Sequence, residues 1–464
     1  MEEFDLIVIG SGAGLNIVDA AANSGMKVAL LENGPLGGTC LNRGCIPSKI
    51  WIYPADVIRS IEDARNVGVN ARVESTDYEL VRKRTWDQVL GEREQIENGV
   101  RQDERVTFIR DTATFVGDHT LESSGRKLHS PKIVVSAGAR TAVPHIPGLN
   151  DVEYQTSETI FDITSLPKSL VILGGGYKAC EFGHFFSAFG TKVTIVQRNV
   201  RILPDEEPEI SATVKRKLGE HIVIRTDHEA TEVRKSGNDI AVTSRGRGTG
   251  ERVEDSAEMV LVATGMKSNS DWLIPEASGI KLDEQGYIIV NDYLETTAPG
   301  IWALGDITGK HMFRHTANYE SQVVWYNMSG KEKAISDEHA IPHAVYTYPT
   351  VGSVGMTEEG AKRGGLKYLV GFNAYANVAK GSAMANDYGL VKVIVESGTR
   401  RILGAHIVGP EADLLVQQLV YLMNCGDWSY LPMARSQVIH PSLSEVVAGA
   451  FARLSAPGEH HHHH

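Results

Sequence analysis

The sequence predicts an α/β fold with an α+β portion at its C-terminal end, and three observations carry that prediction. The chain opens with an apolar run, Phe4 to Ile9, that enters a glycine turn, Gly10-Ser11-Gly12-Ala13-Gly14. A helix-like stretch then runs to Ser24-Gly25, and a second apolar strand, Val28 to Leu31, ends at Glu32. The same order returns in SLVILGGGYKACEF, from Ser169, followed by helix, Gly190 turn and the strand KVTIV, which makes the unit an internal duplication. Toward the end, LVKVIVES and RILGAHIVG alternate as antiparallel strands do, with helical patterning after Glu411. The first two observations describe Rossmann-like units, and the third describes a separate antiparallel sheet.

Each element of the first unit has a chemical reason. Glycines at Gly10, Gly12 and Gly14 let backbone N–H groups approach a pyrophosphate at a helix N-terminus, and Glu32 at the end of the second strand can accept ribose hydroxyls. The usual third glycine falls at position 15, where this chain has Leu15, so helix and strand are expected to pack slightly farther apart unless Gly14 compensates. In the second unit the glycines are Gly174 and Gly176, with Ala179 third, and Gln197 stands in the acid's place, followed by Arg198 and Arg201. A carboxylate there would repel a 2′-phosphate, whereas a neutral glutamine beside two guanidiniums welcomes one. The expected coenzyme is therefore NADPH in preference to NADH. Two glycine turns with different acceptor residues imply two different dinucleotides, one of them a flavin, and TTAPGIWALGD sets Asp306 at a strand end where a carboxylate can meet a polyol.

Length and composition bound the rest. A chain of 464 residues is long enough for about three domains. A formal charge of −12 without a basic cluster argues against nucleic acid and anionic membranes as partners. Four cysteines are too few for a disulfide framework, and the C-x4-C spacing of Cys40 and Cys45 in GGTCLNRGCIPSK lacks a second pair for a zinc site, so no metal is expected. MEEFDLIVIG has no basic segment leading an apolar one, and no long apolar run occurs, so a soluble cytoplasmic protein is expected. His460 to His464 read as an expression tag.

GGTCLNRGCIPSK, IVVSAGARTAVPHIPG, LVATG, AVYTYPTVGSVGMTE and HPSLSE, in this order and interleaved with the two glycine turns, resemble the pyridine-nucleotide disulfide oxidoreductases over nearly the whole chain. That family includes glutathione, mycothione and mercuric reductases and dihydrolipoyl dehydrogenase. EFGHFFSAFGTKVTIVQR and FRHTANYESQVV look most like mycothione reductases, whereas CLNRGCIPSK is equally similar to dihydrolipoyl dehydrogenase. The resemblance implies an FAD domain at 1–150 and 265–335, an NAD(P) domain at 151–264, a dimerisation domain at 336–455 and a tail with the tag at 456–464.

It also implies the redox machinery. Cys45 would be the thiolate beside the flavin and Cys40 the interchange thiol that attacks a small disulfide substrate; a bridge between them requires a distorted or extended first helical turn. Lys49 would face the flavin and pair with Glu181. His440, held by Glu445, would carry protons to and from Cys40 of the other subunit, so that a homodimer completes the site. Tyr177 would be the lid over the nicotinamide. The resemblance further assigns Gly38, Thr39, Ala113, Gly138, Gly265 and Ala317 to cofactor binding.

Several residues keep two readings. Lys178 replaces an apolar residue of the family and either meets coenzyme phosphate or is solvated. Arg43 either favours an anionic disulfide or lies at the surface. Trp51 and Tyr53 are either pocket walls or core aromatics, and Cys180 and Cys425 are expected in the core. The leading function is NADPH-dependent reduction of a low-molecular-weight disulfide. Dihydrolipoyl dehydrogenase is the alternative, and a flavin-binding scaffold without disulfide turnover is a weaker one. Mercuric reduction is disfavoured because AFARLSAPGE carries no cysteine pair.

Overall fold

A computed structural model describes residues 1–330 and 332–458; the proposed tag, His460 to His464, lies outside the described residues. Two five-stranded sheets organise the first two thirds, beside smaller sheets of four, three and two strands. In the first, the order is Ile301–Ala303, Ile133–Val135, Leu6–Ile9, Val28–Leu31 and Val106–Ile109, all parallel. The second runs Gln155–Thr156, Met259–Val262, Ser169–Leu173, Lys192–Gln197 and Val223–Thr226, again all parallel. Parallel sheets covered on both faces need continuous apolar strands. Leu6–Ile9 and Val28–Leu31 are buried at every position, which is why the sequence reads there as unbroken hydrophobic runs.

The duplication extends to backbone detail. Gly10 has φ +97°, and a Cβ on it would stand 2.2 Å from the Ser136 carbonyl oxygen; Gly174 has φ +106°, and its Cβ would stand 2.2 Å from the Ala263 carbonyl oxygen. Both turns thus pass against a neighbouring strand end in a left-handed conformation that only glycine adopts at little cost. The helices that follow are Gly14–Asn23 and Tyr177–Ala188. The wider packing expected from Leu15 is not found. A Cβ on Gly14 would meet Ser136 Oγ at 2.4 Å and Val8 Cγ1 at 2.9 Å, so Gly14 itself provides the close approach of helix to strand.

Beyond residue 341 a five-stranded antiparallel sheet takes over, ordered Pro342–Val345, Val351–Gly355, Ile402–Val408, Leu390–Glu396 and Tyr368–Ala374. Helices Ala412–Met423 and Ser444–Phe451 supply Leu415, Leu419, Val446 and Val447 to its core. Among the described residues no helix is long and apolar enough to cross a membrane.

Two cysteine expectations part company. Cys180 is fully buried in the core between the second sheet and its helices, but Cys425 is exposed, because it falls just past the end of helix Ala412–Met423.

Candidate active site

The segment after Val28–Leu31 forms two helices rather than one, Gly38–Arg43 and Cys45–Asp63, broken at Gly44. A Cβ on Gly44 would lie 2.9 Å from the Thr39 carbonyl oxygen and 3.1 Å from Cys40 Cα. The absent side chain lets the turn bearing Cys40 lie against the first residue of the next helix, Cys45. That is the distortion the spacing requires. Both cysteines are free thiols, and both line one cavity of about 370 Å³.

Their electrostatics differ. The Cys40 thiol hydrogen-bonds to Cys45 and, with help from the Lys49 ammonium, holds the Cys45 thiol down to about 7 against the opposing effect of burial. The same hydrogen bond, together with burial, pushes Cys40 up. Cys45 is thus the thiolate of the pair and Cys40 the protonated member, as a position at the start of a 19-residue helix favours. Lys49, one turn on, donates to Glu181 Oε2 at 2.9 Å, and its ammonium lies 4.7 Å from the centre of the Tyr346 ring. Glu181 is fixed in turn by the Tyr346 N–H, 2.9 Å from Oε1.

The cavity gathers residues distant in sequence. Gly10, Gly12, Glu32, Gly38, Thr39 and Ala113 line it, as do Gly138, Asp306 and Ala317. Tyr177, Lys178 and Arg43 line it too. The chemistry of this donor set fits FAD. Glu32 presents a carboxylate at the strand end, where it now accepts from the Ser11 N–H at 2.9 Å and Ser11 Oγ at 2.7 Å. Gly12 has only Arg314 Nη1, at 3.6 Å, near the place of a Cβ. The Asp306 side chain makes no hydrogen bond among the described residues, which leaves its carboxyl open to a bound polyol, and burial pushes that carboxyl up.

Other expected residues lie elsewhere. Gly14 is packed behind the turn, and Gly174, Gly176 and Gly265 are not part of the cavity lining. Gln197 is buried at the end of its strand, its Nε2 donating to the Arg201 carbonyl at 3.3 Å. Arg198 and Arg201 have no ion-pair partner among the described residues. His440 Nδ1 is 2.9 Å from Glu445 Oε1, and Glu445 Oε2 accepts from the Ser442 N–H at 3.0 Å. This dyad stands on the antiparallel-sheet portion, with the His440 side chain 71% exposed, and does not line the cysteine cavity of its own chain.

The ambiguous residues divide. Trp51 is a core aromatic, 1% exposed, with ring centroids 4.5 Å from Phe185 and 4.8 Å from Phe161, while Tyr53 is at the surface. Arg43 is tied to the Glu158 carbonyl and pairs with Asp162 at 3.2 Å. Lys178 turns inward, its ammonium donating to Ser157 Oγ at 3.0 Å.

Sequence reasoning passed over two acids. Glu158 accepts from the Thr141 N–H and hydroxyl at 2.9 and 2.6 Å and forms part of the charge around Lys178. Glu320 Oε2 accepts from the Gly305 N–H at 2.6 Å beneath the Asp306 turn, and burial raises it to about 7. An acid within the helix Arg314–Ser329, among buried Ala317, Val323 and Val324, was the available signal for Glu320.

Comparison with known proteins agrees with this geometry. The model of the pyridine nucleotide-disulphide oxidoreductase family matches residues 4–321, and that of its dimerisation domain matches 341–451. Mycothione reductase of Mycobacterium tuberculosis is 34% identical over 98% of this chain and 100% of its own length. Dihydrolipoyl dehydrogenase of Chlamydia pneumoniae is 31% identical over 98% of both chains. Among solved structures, the HOCl-induced flavoprotein disulfide reductase RclA from Escherichia coli superposes with a TM-score of 0.84 at 29% identity, covering 97% of this chain and 99% of its own. The chain belongs to the pyridine nucleotide-disulphide oxidoreductases and is an FAD-dependent enzyme of that family.

Proposed function

We propose that this enzyme is an NADPH-dependent reductase of a low-molecular-weight thiol disulfide, with a mycothione-like disulfide as the first candidate, acting as a homodimer in the reducing cytoplasm. The observation that carries the coenzyme preference is the end of the second unit. There Gln197 takes the acid's position, and the guanidiniums of Arg198 and Arg201 have no ion-pair partner among the described residues, so a 2′-phosphate would meet a neutral amide in place of a carboxylate, with two unpaired cations nearby in sequence.

The flavin supplies hydride acceptance from the coenzyme and passes two electrons to the protein disulfide. The remaining steps belong to the chain's own residues. Cys45, held ionised by the Cys40 hydrogen bond and Lys49, stays on the cofactor side. Cys40, once its proton is removed, attacks one sulfur of the substrate and releases the first thiol. Cys45 then attacks the Cys40 sulfur, restoring the protein disulfide and releasing the second product as a thiolate, which takes its proton from solvent. His440 of the partner subunit, oriented by its own Glu445, takes the Cys40 proton and returns it to the first leaving thiolate. Support for the two-subunit site is the exposed, preformed His440–Glu445 dyad on a segment matching a dimerisation domain, away from the cysteines of its own chain. In this reading the flavin-binding part is 1–150 with 265–335, the coenzyme part 151–264 and the dimer-forming part 336–455.

The test is a panel of disulfides that includes mycothione, glutathione disulfide and lipoamide, each assayed with NADPH and with NADH. Higher kcat/KM with NADPH on a small-thiol disulfide is the expected result. Preference for lipoamide with the NAD couple would transfer the assignment to dihydrolipoyl dehydrogenase, which the CLNRGCIPSK segment and the Chlamydia relative also suit.

A further inference from the structure

Hydride carries two electrons and one proton, so each turnover adds one negative charge to whatever accepts it. The cavity must hold that charge, first on the cofactor and then as the Cys45 thiolate. Of the other cations in its lining, Lys49 is already paired with Glu181 at 2.9 Å and Arg43 with Asp162 at 3.2 Å, while Arg314, without an ion pair among the described residues, stands at the Gly12 turn, where a bound pyrophosphate would neutralise it.

Lys178 is different. Its ammonium donates to Ser157 Oγ at 3.0 Å and touches Met266 Sδ at 3.1 Å, both neutral, and among the described residues it forms no ion pair. The charged groups it feels are Glu158, Asp306 and Cys45 from other elements and Glu181 on its own helix. Nearby carboxylates thus draw the ammonium inward, but none bonds to it. A partly desolvated cation without a bonded counter-ion is costly to maintain unless an anion arrives beside it. In this cavity the arriving anion is the charge of the hydride.

We propose that Lys178 is a catalytic residue of the redox cavity: it holds the negative charge created when hydride is delivered to the bound flavin and the Cys40–Cys45 pair, and so makes the holoenzyme easier to reduce. The proposal rests on the family's flavin and not on NADPH preference or on the identity of the disulfide, and it is tested without either variable.

The measurement is the two-electron midpoint potential of the FAD-loaded enzyme, taken anaerobically against a reference dye with no disulfide substrate present. It compares wild type with Lys178→Met, Lys178→Gln and Lys178→Arg. Loss of the charge in the Met and Gln variants should weaken electron uptake roughly tenfold, which for a two-electron couple is a fall of about 30 mV, while the Arg variant stays near wild type.

A pH series separates charge from packing. Burial holds the Lys178 ammonium below the ordinary lysine range. The gap between wild type and Lys178→Met should therefore be full below the pKa of Lys178 and close as pH rises through it. If the Met variant does not retain FAD, the Gln and Arg variants carry the comparison. Equal potentials in all the proteins, a gap that ignores pH, or loss of FAD from the charge-keeping Arg variant as well would overturn the proposal.

Discussion

Removing the Cys40 side chain should change Cys45 more than the loss of a neighbouring thiol suggests. The hydrogen bond from Cys40 is the largest influence holding the Cys45 thiol at about 7 rather than at 9.0, with Lys49 the leading cationic contribution. At pH 7 a thiol with a pKa of about 7 is roughly half ionised, whereas one at 9.0 is ionised to only about 1%, a difference of roughly fifty-fold in the reactive species. In Cys40→Ala, Lys49 and the helix N-terminus remain, so part of the lowering survives, and the thiolate fraction at pH 7 should fall by roughly tenfold. The sign follows from the direction of the shift. A lowered thiol is ionised above its pKa, so the loss is largest near neutrality and disappears at high pH, where both proteins carry the thiolate. The assay is the rate of alkylation of Cys45 against pH in the anaerobically reduced enzyme, read by mass spectrometry of the peptide that contains it. A profile for Cys40→Ala that superimposes on wild type would refute the claim that the two thiols are electrostatically coupled.

Other outcomes follow from the same geometry. His440→Ala should leave reduction of the enzyme by NADPH unchanged in stopped-flow experiments but lower disulfide turnover by roughly 10²–10⁴-fold, the usual worth of a positioned acid–base group. Arg198→Ala and Arg201→Ala should each raise the KM for NADPH by roughly 10–100-fold while leaving that for NADH nearly constant, since a hydrogen bond to a charged phosphate contributes about 1.5–3 kcal/mol. Trp51→Ala removes the centre of an aromatic cluster that includes Phe161 and Phe185, and denaturant titration should show a loss of about 3–5 kcal/mol, with FAD-linked reduction retained in the folded fraction.

The sequence made the backbone chemistry legible and left side-chain direction open. Two glycine turns could be read because a carbonyl 2.2 Å from a hypothetical Cβ at Gly10 and at Gly174 excludes every other residue, so the constraint is written at the position itself. The Lys49–Glu181 pair was foreseeable because both residues sit in recognised segments. Lys178 was not, because its direction is decided by Ser157 and Met266, which are 21 and 88 residues away. The same holds for Trp51, whose core position depends on Phe161 and on a helix of the second unit. Leu15 misled for a local reason: close packing had moved by one residue to Gly14. Cys425 misled because an apolar residue near a helix end need not point inward, and here it falls just beyond the last turn.

The proposed reaction stands on Cys40 and Cys45 as the redox pair between coenzyme and substrate. It is tested most directly by counting the thiols of the segment Gly37 to Lys49 by alkylation and mass spectrometry, before and after anaerobic addition of NADPH to the FAD-loaded enzyme. Both cysteines should be unlabelled in the oxidised enzyme, both labelled after NADPH, and both unlabelled again once a disulfide substrate has been turned over. Labelling that does not change with NADPH, while the flavin itself is reduced, would contradict it.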